Sequence, residues 1–242
     1  MTSLLTLDGL CKAYGAVKVA DELSYDVTTG DALGVIGPNG AGKTSMFNLI
    51  TGTVSPDSGT VTFAGQNVTG WSAAKRSHFG IARSFQVPQP FSNMTVFENA
   101  MVAATQSAGL YGREAEALCL DVLEKTELLS KANTPAGGLT LLGRKRLELT
   151  RALCAKPKLL LLDEIAGGLT EGECQSLVQT IKDIHASGVT IIWIEHVVHA
   201  LLAVVDRLIV IDFGRKIAEG EPKAIMESPE VKEIYLGIEA DA

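Results

Sequence analysis

Residues 37 to 44 read Gly37-Pro38-Asn39-Gly40-Ala41-Gly42-Lys43-Thr44, a complete G-x-x-x-x-G-K-[ST] phosphate-binding loop. The loop constrains the fold because it needs a buried strand before it and a helix after it. Asp31-Ala32-Leu33-Gly34-Val35-Ile36 is an apolar run of strand length, and Ser45-Met46-Phe47-Asn48-Leu49-Ile50 suits a helix. The glycines let backbone N–H groups turn inward, and the positive end of the following helix adds to them, which suits a β-phosphate. On this reading residues 37 to 45 cradle a nucleotide. Lys43 bridges the β- and γ-phosphates, Thr44 ligates Mg²⁺, and Ser45 contacts the α-phosphate. The competing reading is a chance glycine-rich turn, which the flanking runs argue against.

A second motif bears on what the phosphate energy is used for. Lys158-Leu159-Leu160-Leu161-Leu162 is a continuous apolar run ending in Asp163-Glu164. It places two carboxylates at the carboxyl end of a buried strand, the edge where open α/β sheets bind ligands. Asp163 is expected to hold Mg²⁺, directly or through water, while Glu164 orients and deprotonates the water attacking the γ-phosphate. Without the phosphate loop, a solvated acidic turn would be the simpler reading.

With both motifs in place the chain resembles the ATP-binding subunit of an ABC transporter over nearly its full length. The resemblance implies ATP and Mg²⁺ as ligands and a P-loop NTPase fold: a mainly parallel sheet core, an antiparallel β lobe and an inserted α-helical lobe. Residues 1–86 and 151–242 would form the nucleotide core, and 87–150 the helical lobe. Tyr14 stands where the family places an aromatic that stacks on adenine, and a tyrosine packed at a strand end is the alternative. Gln86, in Arg83-Ser84-Phe85-Gln86, resembles the glutamine that reaches Mg²⁺ and the attacking water. His196, after Ile191-Ile192-Trp193-Ile194-Glu195, resembles the switch histidine that touches the γ-phosphate. A metal pair with His199 is set aside because no third ligand is near in sequence. Gly167-Gly168-Leu169-Thr170 occupy the D-loop place, where the family contacts a second subunit.

The departure from the family lies where Leu-Ser-Gly-Gly-Gln is expected. Here the chain reads Leu139-Thr140-Leu141-Leu142-Gly143. In the family this segment meets the nucleotide of the opposite subunit at a helix N-terminus. Thr140 keeps the hydroxyl of the serine, but Leu142 puts bulk at the second glycine. Either a subfamily variant accommodates it or this half of the site is weakened. The wording of Met94-Thr95-Val96-Phe97-Glu98-Asn99, Ile194-Glu195-His196, Gly214-Arg215-Lys216-Ile217 and Tyr235-Leu236-Gly237 resembles the branched-chain amino acid import branch, with its urea and amide relatives.

Composition sets limits. The net charge of −7 argues against nucleic acid or an anionic membrane surface as a partner. The longest apolar stretch, residues 197 to 205, is far short of the ~20 residues that span a bilayer. Met1-Thr2-Ser3-Leu4 lacks a basic signal-peptide start. Cys11, Cys119, Cys154 and Cys174 are scattered and read as reduced thiols. Residues 113 to 129 carry helical spacing, with Leu118, Val122 and Leu129 on one face. Arg144, Lys145 and Arg146 read most simply as a solvated helix face, with a direct role at the dimer interface as the alternative. Strand and helix then alternate, with a helix near 171 to 185 and strands near 189 to 194 and 208 to 211.

The resemblance thus implies a Mg²⁺-dependent ATPase that powers an importer by closing a head-to-tail dimer, either with itself or with a paralogue. Its partners would be integral permease subunits and, indirectly, a substrate-binding protein, and its place the cytoplasmic face of the inner membrane. Two alternatives stay open: a regulatory subunit that hydrolyses weakly, and a soluble ABC ATPase outside transport.

Overall fold

The structure is a computed structural model that describes residues 3–236. The chain opens with two long strands, β1 (Ser3–Tyr14) and β2 (Val17–Thr28). Strand β3 (Ala32–Ile36) then feeds the phosphate loop and helix α1 (Lys43–Thr51). Next come β4 (Ser58–Phe63), β5 (Gln66–Asn67), α2 (Ala73–Phe79) and β6 (Ile81–Ser84). Three helices follow in succession: α3 (Val96–Gln106), α4 (Gly112–Lys125) and α5 (Leu141–Cys154). From β7 (Leu159–Asp163) the alternation resumes with α6 (Glu171–Ala186), β8 (Thr190–Ile194), α7 (Val198–Leu202) and β9 (Arg207–Asp212). Strand β10 (Arg215–Gly220) and helices α8 (Pro222–Glu227) and α9 (Pro229–Leu236) complete it.

These strands form two sheets. The central one runs β10-β9-β3-β8-β7-β6, parallel except where β10 turns back on β9, and the other is antiparallel in the order β2-β1-β4-β5. Strands β3, β7 and β8 are buried at every position, which is why they read as unbroken apolar runs rather than alternating ones. Their side chains still divide by period two. Leu160, Leu162, Ile191, Trp193, Leu208 and Val210 face the core beneath the later helices. Leu159, Leu161, Ile192, Ile194, Ile209 and Ile211 face the core shared with α1 and the antiparallel sheet. Helix α1, buried through Met46, Phe47, Leu49 and Ile50, is thereby held between the two sheets. The phosphate loop that precedes it is held along with it.

Two local expectations fail. The helix expected over 113 to 129 ends at Lys125, and the backbone turns through a left-handed Glu127 at φ 57°. Leu129 is consequently exposed rather than sharing a face with Val122. The solvated face expected for residues 144 to 146 also does not form. Arg144 is exposed, but Lys145 and Arg146 are buried. Arg146 Nη2 reaches Glu127 Oε2 at 2.7 Å and Ser176 Oγ at 2.8 Å. Helix α5 is packed on several sides, so its basic residues find internal partners instead of water.

Candidate active site

The phosphate loop is shaped by positions that exclude a side chain. A Cβ on Gly37 would lie 2.0 Å from Ile211 O, and one on Gly42 2.2 Å from Val19 O. Both have positive φ, 153° and 102°, so backbone crowding and conformation together demand glycine there. The turn between β9 and β10 locks the loop from behind, with Gly214 N–H donating to Ala41 O at 2.8 Å. Lys43 is almost fully buried, and its ammonium donates to Gly37 O at 2.7 Å and Pro38 O at 3.0 Å. Burial pushes its pKa below the ordinary lysine value, against the pull of the Glu164 and Asp163 carboxylates. Thr44 is exposed at the start of α1, and Ser45 is half-buried. Residues 39–45 line a cleft of about 460 Å³ together with Val17, Val19, Gln86 and Glu164.

The acidic side of this cleft comes from the ends of β7 and β8. Asp163 is buried, and its Oδ2 accepts from Arg83 Nη2 at 2.5 Å. Desolvation nevertheless outweighs that partner and pushes the carboxyl above the ordinary aspartate value. Asp163 Oδ1 is buried with no hydrogen-bond partner among the described residues. Glu164, next in the chain, adopts φ 47°, a left-handed conformation that non-glycine residues avoid. Its N–H donates to Ile194 O at 2.8 Å. Gln86 Nε2 donates to Glu164 Oε2 at 2.5 Å, and His196 Nε2 lies 2.9 Å from Oε1. A proton on Nε2 would donate to that carboxylate. Gln86, Glu164 and His196 are thus brought together at the rim of the phosphate loop. His199 turns elsewhere, 3.4 Å from Glu171.

Tyr14 stands exposed at the end of β1, its ring 5.5 Å from the Lys12 ammonium. It is therefore not the packed strand-end tyrosine of the alternative reading. Thr140 caps α5, its hydroxyl accepting the Gly143 N–H at 3.3 Å. The bulk attributed to Leu142 is redistributed. Leu142 is half-buried against the large core, whereas Leu141 is exposed and sits beside Gly168, whose Cβ would lie 3.3 Å from Leu141 Cδ2. The side chain that alters the outer surface of this helix start is Leu141.

Three further residues in this region were not assigned to the site by the sequence reading. Arg83 bridges Asp163 to Asn48 of α1, with its Nη1 2.7 Å from Asn48 Oδ1. Glu195 is buried and accepts the N–H groups of Ala166 at 2.9 Å and His196 at 3.0 Å. Lys145 donates to the backbone carbonyl of Glu164 at 3.1 Å. Only Glu195 had a usable signal, an acid directly after an apolar strand.

A phosphate loop on α1, carboxylates ending β7 and an imidazole after β8 define an ATP-binding cassette. The chain belongs to the ATP-binding subunits of the ABC transporter family, in their branched-chain amino acid branch. It matches the ABC transporter family over residues 20–167 and the branched-chain amino acid ATP-binding cassette transporter family over residues 215–241. Gly237, quoted above for that branch, lies outside the described residues. The chain is 34% identical to the high-affinity branched-chain amino acid transport ATP-binding protein LivG of Salmonella typhimurium, across 97% of this chain and 98% of that protein. It is 33% identical to the probable LivG of Methanocaldococcus jannaschii, across 97% of each. The solved ADP conformation of MJ1267, an ATP-binding cassette of an ABC transporter, matches with a TM-score of 0.89 at 32% identity, covering 98% of this chain and all of that one. Among the described residues no helix is long and apolar enough to cross a membrane.

Proposed function

We propose that the chain binds and hydrolyses ATP to drive an importer of branched-chain amino acids or related small amides. The observation that carries this is the Glu164 carboxylate, held at one oxygen by Gln86 and at the other by His196 beside the phosphate loop. A carboxylate fixed at both oxygens is pre-oriented to take a proton from a water in line with a γ-phosphate. Lys43 and the N–H groups of residues 39 to 45 offset charge on the phosphoryl oxygens, and Tyr14 offers its exposed ring to the adenine.

The unpartnered Oδ1 of Asp163 and the exposed Thr44 hydroxyl fit a hard cation that takes oxygen ligands and keeps waters. Thr44, Asp163 and, after release from Glu164, Gln86 would hold Mg²⁺. When bound, it would supply charge neutralisation on the β- and γ-phosphates.

Two such subunits would face head to tail, each ATP held between one phosphate loop and the other subunit's residues 140 to 143. Hydrolysis would then reopen the pair and move permease subunits docked near residues 86 to 97. ATP hydrolysis by the purified chain, measured across a protein concentration series beside Glu164→Gln, tests the reading. Turnover that rises with concentration and disappears in the variant supports it. Turnover that the variant retains refutes it.

A further inference from the structure

Lys145 is 4% exposed, a setting in which an ammonium ion is costly to leave without partners. Among the described residues, the hydrogen bond its nitrogen makes runs to the backbone carbonyl of Glu164 at 3.1 Å. That carbonyl belongs to the residue with the left-handed backbone, and it also receives the Gly167 N–H at 3.4 Å. On its other side the Glu164 N–H is tied to β8 through Ile194. The peptide units around Glu164 are therefore anchored to a strand on one side and to helix α5 on the other. The buried carboxylate of Glu195 gathers N–H groups from both the Glu164 loop and the His196 loop. Burial pushes the Lys145 ammonium below its ordinary pKa, while Glu195 and Glu164 oppose that shift.

We propose that Lys145 is a positioning residue for ATP hydrolysis, holding the Glu164 carboxylate in register with Gln86 and His196 and tying it to the start of α5. It acts on the backbone of Glu164 and touches none of the reacting atoms. The same helix is capped by Thr140, about 7.5 Å along its axis from Lys145 by the rise of five residues. A tilt of that helix start against a second subunit's nucleotide would thus be felt at Glu164 of its own subunit. The inference rests on Glu164 as the catalytic base, and its test separates the two.

The full-length chain would be compared with Lys145→Met, Lys145→Arg and Glu164→Gln by ATP turnover, ATP affinity, thermal melting and backbone hydrogen exchange over residues 163 to 170. Lys145→Met is expected to lower kcat by about tenfold or more, with KM and ATP affinity within about twofold. Exchange in that segment is expected to rise by about tenfold without a fall in melting temperature, since a buried ammonium has been removed. Lys145→Arg, which keeps a donor, is expected to recover most of both. Unchanged kcat and exchange in Lys145→Met overturn the proposal. So does a kcat loss matched by equal losses of ATP affinity and melting temperature. If Lys145→Met fails to fold, Lys145→Leu replaces it, again without a donor, and wild-type kcat and exchange in that variant overturn the proposal equally. Turnover that Glu164→Gln leaves intact overturns the catalytic-base reading instead, and the exchange data still report on the anchoring.

Discussion

Arg83 and Asp163 meet at 2.5 Å with both side chains closed off from solvent, one at the end of β6 and the other at the end of β7. Because Arg83 also holds Asn48 of α1, one guanidinium aligns the strand leading to Gln86, the carboxylate strand and the phosphate-loop helix. The planar fork of arginine suits this bridging better than a point charge would. Arg83→Met strands the Asp163 charge and is expected to lower stability by about 3–5 kcal/mol. Urea unfolding would measure the loss. Adding Asp163→Asn to that variant is expected to recover part of it, because no unpaired charge then remains.

A second buried arginine has no ion-pair partner among the described residues. Arg76 is 1% exposed, and its guanidinium donates to Leu49 O at 2.7 Å, Ile50 O at 2.9 Å, Thr69 O at 2.8 Å and Trp71 O at 3.2 Å. The first two are carbonyls in the last turn of α1, where the helix dipole favours a cation. Arg76→Met leaves them unsatisfied and is expected to cost on the order of 3 kcal/mol. Arg76→Lys should recover only a part, since an ammonium cannot span all four carbonyls. Chemical unfolding of the three proteins in parallel would show the order.

The two leucines at the start of α5 are expected to separate in function. Leu142 packs on the core, so Leu142→Gly should lose about 2–3 kcal/mol from lost packing and helix propensity, with no gain in turnover. Leu141 is exposed, so Leu141→Gly should leave stability nearly intact and change ATP turnover at dimer-forming concentrations. A faster Leu142→Gly enzyme would contradict this assignment.

Acid should selectively weaken α3 and α6. Both begin with capping boxes, Thr95 with Glu98 and Thr170 with Glu173. Hydrogen bonds from the threonine N–H and hydroxyl groups lower each carboxyl below the ordinary value of 4.5. A lowered acid contributes stability that is present above 4.5 and lost as pH falls through the lowered value. The double variant Glu98→Gln/Glu173→Gln should therefore melt below wild type at neutral pH and converge with it once the pH has fallen below the lowered values. A melting gap that persists in acid would show that the charges are not its source.

The proposed nucleotide side of the site was legible as a strand-loop-helix unit because its information is local. Residues 37 to 45 and 159 to 164 carry strand, turn and helix signals within a few positions of the chemistry. Gln86 and His196 were legible only through family likeness, since neither type carries a spacing of its own. Arg83, Lys145 and Glu195 stayed hidden for a different reason. Their partners lie 80, 19 and 29 residues away, and no periodicity reports a bond over such distances. A run such as Arg144-Lys145-Arg146 reads as a wet surface until three-dimensional packing supplies the carbonyl and carboxylate that two of its members need.

Lys43 has a consequence for selectivity. Its ammonium is already held by Gly37 O and Pro38 O, and the lysine side chain is itself almost closed off from solvent. On the proposed reading an incoming anion would have to displace two carbonyl contacts, at a loop packed too closely for a side chain at Gly37 or Gly42. Simple anions such as chloride, single-charged and unable to reach several donors at once, gain too little to displace that arrangement. A polyphosphate, multiply charged and long enough to run along the loop, would gain enough. On the proposed reading the loop would thus discriminate through the contacts it already makes with itself, and specificity for a chain of phosphates would begin before any base is read.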